Sequence, residues 1–353
     1  MKNFSWMQTI AVCLLFSWML TPLEAQTGAT DANTSWVDNW YETVSGEVVD
    51  WSEAIDRRLY QWLGGDENIS ERGTETPLEA ERQQTDTFFQ TQKYLSETSI
   101  SYVRLRLGTA LRSLDSDETN FNVRVHLPLS RTRKRLRLFI EDLNEDNVEN
   151  LVKKTENGSE EVSPKVGINY FAPKTYGIYS KYSLGLSGLH PYLRARYNMV
   201  FEPGGWVVEP VQIFQYSEKY DFSEKTDLYF DTEPWEETLF RVQLNRGTRA
   251  HKKGMAYGIG LSYHWGLTGH SGMRLIQSFS GHTHYEYTPD DTDETKEYSG
   301  IYSYTTAFGY RRSVWKKWLY MEAIPAINFH KMHHFHPNYS FTIFFDLFFG
   351  NYR

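Results

Sequence analysis

The sequence predicts an all-β protein, a transmembrane antiparallel β-barrel of about 12–14 strands that follows an N-terminal periplasmic helical segment. Three observations lead to this fold class. From about residue 99, apolar and polar residues alternate over segments of about ten to fourteen residues, which is longer than typical globular strands. Aromatic residues collect near the ends of these segments. Short turns alternate with long charged loops, as they do in a barrel that crosses a membrane.

The composition excludes several other classes. The chain has 353 residues and a net charge of −8, and 16% of its residues are aromatic. Its one long apolar run lies at the N-terminus, so it is not a helical membrane protein. The aromatic content argues against a disordered chain. The net acidity argues against nucleic acid as a main partner.

The first 25 residues are expected to be a signal peptide. Lys2 supplies the positive start, residues 10–20 form an apolar stretch too short to span a membrane, and residues 21–25 resemble a cleavage region. The only cysteine, Cys13, lies inside this segment. The expected mature chain therefore has neither disulfide nor thiol chemistry.

Residues 26–95 are expected to form a periplasmic helix followed by a polar linker. Apolar residues recur at spacings of four and three over residues 35–63, which predicts an amphipathic helix. Four tryptophans dominate its apolar face: Trp36, Trp40, Trp51 and Trp62. This helix could dock on its own domain, plug the barrel or lie on a membrane surface. Its acidic polar face favours a basic lumen over an anionic lipid surface.

Residues 96–353 are expected to form the barrel, and the final segment carries a resemblance. Its alternate positions are apolar, namely Phe341, Ile343, Phe345, Leu347 and Phe349. Together with the leader and the alternating strands, this ending resembles Gram-negative outer-membrane β-barrels and the signal read by their assembly machinery. It departs from that pattern, which usually stops on an aromatic residue, because residues 350–353 follow Phe349. Residues 191–197 and 318–325 also resemble an uncharacterised proteobacterial barrel family.

The resemblance implies location in the cell outer membrane, with outer-membrane lipid and the barrel assembly machinery as partners. It carries over no catalytic motif. We therefore expect a porin-like protein without a cofactor, a metal ion or catalytic residues.

If the apolar positions face lipid, the opposite positions line a basic lumen. The expected lumen residues are Arg104, Arg106, Arg124, Arg135, Arg137, Arg194, Arg196, Arg241, Arg311, Glu141 and Glu322. Arginine–carboxylate ladders could simply fill the barrel. Alternatively, the arginine excess could act as an electrostatic filter that favours small anionic solutes.

The leading interpretation is a pore or solute channel with an anion-favouring lumen. One alternative is a non-conducting structural or binding protein that the N-terminal helix closes. Another is an outer-membrane lipid hydrolase, for which Ser271 follows His270 and His282 and His284 share a strand face. A stretch of four histidines, His330, His333, His334 and His336, has spacings that a metal ion could use, although a surface loop explains it as well.

Overall fold

The computed structural model describes residues 34–62, 88–89, 101–129, 136–141, 165–218, 221–268, 270–292, 294–314, 316 and 318–350. The expected signal peptide and most of the expected linker lie outside these ranges. The contacts divide the chain into two units, Met1–Val44 and Ser45–Arg353, and every strand belongs to the second.

A long helix precedes the strands. Helix α1 covers Thr34–Trp62, which confirms the predicted helix to within one residue at each end. The part of α1 from Ser45 onward belongs to the second unit. In this part Ser45 and Ser52 are buried, and Ser52 Oγ lies 3.0 Å from Ser101 Oγ. Among the described residues, no helix has the length and apolar character needed to cross a membrane.

The predicted tryptophan stripe of α1 is only partly described. Trp40 is 48% exposed and Trp51 is 69% exposed. The side chains of Trp36 and Trp62 lie outside the described residues. In the part of α1 that belongs to the second unit, the buried side chains are therefore Ser45 and Ser52, which lie seven residues apart. The indole of Trp51 is instead largely exposed.

Fourteen strands follow the helix. The first seven are β1 (Tyr102–Arg112), β2 (Glu118–Leu129), β3 (Leu136–Glu141), β4 (Lys165–Thr175), β5 (Ile178–Ser187), β6 (His190–Asn198) and β7 (Trp206–Ser217). The remaining seven are β8 (Asp221–Thr232), β9 (Thr238–Arg249), β10 (Ala256–Thr268), β11 (Ser271–Tyr287), β12 (Lys296–Ser313), β13 (Leu319–His330) and β14 (Pro337–Gly350).

These strands form one closed antiparallel barrel, in which each strand pairs with its sequence neighbours and β1 pairs with β14. Closure leaves no unpaired strand edge, which is the condition for crossing hydrocarbon. The predicted fold class is therefore confirmed, at the upper end of the predicted strand number. Tyr102 pairs with Gly350, so β1 begins and β14 ends at the same rim. We call this rim the terminal end and the opposite rim the loop end.

The outer face is apolar, as the alternation predicts. Several large outward side chains are strongly exposed to the surroundings of the barrel: Leu107, Phe121, Leu184, Leu193, Ile259, Leu275 and Phe345. Near the terminal end, aromatic rings contact one another around the outside: Trp206 with Phe240, Trp235 with Tyr263, and Trp265 with Tyr263 and Phe308. An apolar band bordered by an aromatic girdle is the outer surface of an outer-membrane barrel. The expected location in the outer membrane is thus confirmed.

Two details differ from the sequence-based expectations. The β5–β6 connection at the loop end has only two residues, because Gly188 adopts a φ of 60° that a tight hairpin requires. Not every connection at that end is therefore long. Strand β6 stops at Asn198, and Phe201, which the alternation includes in the strand, makes only an isolated bridge with Val208.

Candidate functional site: the charged lumen

Charged side chains line the inside of the barrel. In the described part of the chain, eight strand residues with basic side chains are buried, against five with carboxylates. The basic residues are Arg104, Arg106, Arg124, Lys165, Arg196, Arg241, Arg274 and Arg311. The carboxylates are Glu209, Asp227, Asp231, Glu322 and Asp346.

The largest group joins β1, β11, β12, β13 and β14, and we call it the central cluster. Arg106 faces Asp346 across β1 and β14, and its Nε and Nη2 donate to the two carboxylate oxygens at 2.5 and 2.7 Å. Arg311 Nη1 donates to Asp346 Oδ2 at 2.6 Å and to Glu322 Oε2 at 3.3 Å. Arg274 Nη2 donates to Glu322 Oε1. The cluster thus contains three guanidinium groups and two carboxylates.

A second ladder crosses β8 and β9. Asp231 and Arg241 lie directly opposite each other, and the guanidinium donates in a fork at 2.8 and 3.0 Å. Gln243 Nε2 donates to Asp227 Oδ1 at 3.0 Å. Lys225 Nζ lies 3.0 Å from the other oxygen of Asp227. Paired, planar geometry of this kind holds side chains in fixed positions.

Other arginines of the lumen have different neighbours. Arg196 Nη2 lies 3.7 Å from Glu209 Oε1, whereas Arg194 binds a neutral group, Gln215, at 2.9 and 2.7 Å. Arg104 and Arg124 are both buried and face each other directly across β1 and β2. Like charges at directly opposite positions are unfavourable unless neighbouring groups compensate them.

The structure places most of the expected lumen residues on this inner face. Eight of them have described side chains there: Arg104, Arg106, Arg124, Arg194, Arg196, Arg241, Arg311 and Glu322. Arg135 lies outside the described residues. Arg137 and Glu141 belong to β3, but their side chains are likewise not described.

Two phenylalanines from the segment before the barrel are inserted into the lumen. Phe89 is 2% exposed, and its ring centroid lies 4.9 Å from that of His264. Arg274 Nη1 donates to the Phe89 carbonyl at 3.4 Å. The ring of Phe88 lies 6.0 Å from that of Tyr320. Both phenylalanines pack closely on Gly272. A Cβ atom at this position would lie only 2.8 Å from the ring of Phe89 and 2.9 Å from the ring of Phe88.

We call this pair of rings the Phe plug. The barrel wall also contains a small cavity between β9, β10 and β11. Polar side chains and small residues of β9, β10 and β11 line it, among them Arg241, Gln243, Gly260, Ser262 and Ser278. The small residues leave room that larger side chains would fill. The cavity is thus lined by both polar and apolar groups, beside the guanidinium group that Asp231 holds in place.

Loops at the loop end are connected by histidine–aspartate contacts. His333 is nearly buried, and its Nδ1 lies 2.5 Å from Asp290 Oδ2 while its Nε2 lies 3.5 Å from Asp115 Oδ1. Asn338 Nδ2 donates to the other oxygen of Asp115 at 2.6 Å. These contacts connect the β1–β2, β11–β12 and β13–β14 loops.

The same contacts shift two pKa values. The Asp115 carboxylate has the largest effect on His333 and raises its pKa, and Asp290 raises it further. In turn, hydrogen bonds from His333 and Asn338 lower the pKa of Asp115. The histidine contribution to stability is complete below its ordinary pKa and disappears as pH rises through the raised value. The aspartate contribution is present above its ordinary pKa and disappears as pH falls through the lowered value. The contact is therefore strongest in mildly acidic solution.

The histidine stretch at residues 330–336 does not act as a unit. His333 contacts Asp290 and Asp115, whereas His334 Nε2 lies 3.1 Å from Asp291 Oδ1. His330 Nε2 instead lies 3.3 Å from the Tyr285 hydroxyl. Among the described side chains, the histidines of this stretch thus bind different groups.

Two of the histidines considered for a hydrolase lie far from Ser271. Ser271 begins β11 at the terminal end, whereas His282 and His284 lie eleven and thirteen residues further along the same strand. At a rise of about 3.3 Å per residue, Ser271 and His282 are separated by about 36 Å. Ser271 therefore cannot use either histidine as a base.

The sequence-based expectations missed three parts of the lumen. Arg274 lies between Met273 and Leu275, so the alternation could have identified it. Asp231 lies on β8, whose outward positions are not uniformly apolar. The Phe plug lies in the segment interpreted as a linker, where two neighbouring aromatic residues produce no periodic signal.

No family model matches the chain, and no curated protein resembles it in sequence. Solved structures similar to it include in-vitro folded OmpT, an outer membrane protein of Vibrio cholerae, with 9% identity, a TM-score of 0.42, and coverage of 70% of this chain and 96% of that chain. NanC porin has 6% identity, a TM-score of 0.36, and coverage of 69% and 98%. Pseudomonas aeruginosa OccK11 has 8% identity, a TM-score of 0.40, and coverage of 71% and 95%.

Proposed function

We propose that the chain is an outer-membrane channel whose basic lumen favours small anionic solutes. The observation that carries this proposal is the excess of buried basic side chains over buried carboxylates on the barrel strands. Fixed positive groups in a narrow, low-dielectric passage lower the energy of an anion and raise that of a cation. Arg104 and Arg124 are two of these buried basic side chains, and they lie directly opposite each other on β1 and β2.

The central cluster and the Phe plug support a narrow passage. The three arginines of the cluster are fixed by carboxylates, so they hold charge at defined positions. The rings of Phe88 and Phe89 occupy lumen space beside Arg274. A plug that fills the lumen fully would make the protein a non-conducting binding or structural protein, which is the second candidate.

The reversal potential of the purified full-length protein in planar bilayers under a salt gradient tests the proposal. We expect a conducting channel that prefers chloride to potassium. The double substitution Arg104→Gln and Arg124→Gln should move the reversal potential toward that of a non-selective pore, because it removes two positive charges from the wall. Arg246→Gln is the matched control, since Arg246 is exposed on the outer face.

Three outcomes contradict the proposal. A cation preference in the wild type would show that the buried arginines do not control the pore. An equal shift in the control variant would assign selectivity to the general charge of the surface. Absence of conductance, with the barrel inserted, would favour the second candidate.

A further inference from the structure

The geometry points to a binding site for a divalent transition-metal ion, with zinc as the best match, on the β11–β12 hairpin at the loop end. Three potential ligand atoms converge there from His284, Glu286 and Glu297, all within 4.8 Å of one another. This site is separate from the lumen and from the histidine stretch at residues 330–336. It also goes beyond the sequence-based expectation that the protein has no metal.

The distances fit one ion better than they fit direct hydrogen bonds. His284 Nε2 lies 3.3 Å from Glu286 Oε1 and 3.5 Å from Glu297 Oε1. Charge-assisted N–H···O bonds are shorter, at about 2.7–2.9 Å. Ligands at about 2.0–2.1 Å from a tetrahedral zinc ion are about 3.3–3.4 Å from one another. The imidazole nitrogen therefore already lies at nearly the spacing of zinc ligands from one oxygen of each carboxylate.

The strand register provides a second, independent indication of a cation. Glu286 and Glu297 are direct cross-strand partners on β11 and β12. Like charges at directly opposite positions destabilise an antiparallel pair. A divalent cation between the two carboxylates converts this repulsion into attraction.

A β-bulge positions the imidazole. The register of β11 shifts between His282 and Tyr285, so the strand contains an irregularity at His284. The His284 backbone N–H donates to His282 Nδ1 at 2.9 Å, which fixes the bulge. Bulges re-aim side chains, and here the result is that His284 lies beside the glutamate pair.

The site is accessible from solution. His284 and Glu286 are the fourteenth and sixteenth residues of β11 counted from the terminal end, and Glu297 is the second residue of β12. A transmembrane strand needs only about 9–11 residues. The glutamate side chains are 60% and 65% exposed. An imidazole ligand selects zinc, copper or nickel over calcium and magnesium, which prefer oxygen ligands only.

Isothermal titration of zinc into the full-length protein in detergent micelles tests the site. We expect one ion per chain, and at least tenfold weaker binding after either His284→Ala or Glu297→Gln. A tenfold excess of calcium should not displace the zinc. His190→Ala is the matched control, because His190 Nδ1 lies 3.4 Å from Glu218 Oε2 at the same end of the barrel.

The glutamine variant changes charge but little else, so it keeps the test valid if the alanine variant folds poorly. Several results would overturn the site. These are no zinc binding to the wild type, binding that both variants retain, an equal loss in the His190 control, or displacement by calcium. Calcium displacement would indicate a general acidic surface, and no binding would show that these three side chains do not form a metal site.

Discussion

Replacing Asp346 with asparagine should destabilise the barrel strongly, although the new side chain has nearly the same shape. Asp346 is fully buried on β14. Its two oxygens accept three bonds from Arg106 and Arg311 at 2.5, 2.7 and 2.6 Å. The asparagine amide could accept through one oxygen only, and its NH₂ group would face a guanidinium donor.

The magnitude follows from the charges that remain. Breaking a buried ion pair by removing one partner costs about 3–5 kcal/mol, because the other charge stays buried without compensation. Here two guanidinium groups lose a shared carboxylate, while Glu322 remains 3.3 Å from Arg311 Nη1 and 4.0 Å from Arg106 Nη2. This residual compensation favours the lower limit, so we expect a loss of about 3 kcal/mol.

Reversible urea unfolding of the protein folded into lipid vesicles measures this loss. The midpoint should fall while the slope stays unchanged, since the area exposed on unfolding is the same. Glu224→Gln is the control, because its ion pair with Arg246 is 3.9 Å long and partly exposed, which predicts a change below about 1 kcal/mol. A loss below about 1 kcal/mol for Asp346→Asn would refute the assignment of the central cluster as a tightly coupled buried network.

Two further predictions concern the Phe plug and the loop end. The double substitution Phe88→Ala and Phe89→Ala should raise single-channel conductance, because it empties lumen space. The control substitution Phe121→Ala, on the outer face, should leave the conductance unchanged. Equal conductance in the wild type, the double variant and the control would contradict a plug. Because the pKa of His333 is raised and that of Asp115 is lowered, raising the pH from 6 to 9 should lower the hydrogen-exchange protection factors of the β13–β14 loop, taken relative to the intrinsic exchange rate at each pH, by up to the equivalent of about 1 kcal/mol. His333→Asn should abolish this pH dependence, and an unchanged profile would show that the contact does not stabilise the loops.

The sequence could predict the barrel because lipid imposes a simple rule on the outer positions. On β1 and β14 every second side chain must be apolar, and the period of two is therefore clear. Strand β8 follows the rule only in part. Glu224 and Thr226 face outward near its loop end, where a strand can extend beyond the hydrocarbon. The alternation is thus weakest where strands leave the membrane.

The lumen was less predictable because the alternation gives the direction of a side chain but not its partner. Arg106 binds Asp346 across 240 sequence positions, and only closure of β1 on β14 brings them together. Arg274 and Glu322 are likewise joined by the inward geometry of β11 and β13, which are not neighbours in the sheet. Expecting arginine–carboxylate pairs was possible from the sequence, whereas assigning them required the register.

The charge distribution also determines how the proposed selectivity should respond to salt. The chain has a net charge of −8, yet its described buried strand residues have three more basic side chains than carboxylates. The acidic excess therefore lies outside this buried set. Salt screens exposed charges beyond about 10 Å at 0.1 M ionic strength. Buried charges are screened much less. An anion preference that originates from Arg104, Arg124 and the central cluster should consequently persist as salt rises, while any opposing effect of the acidic surface should fade.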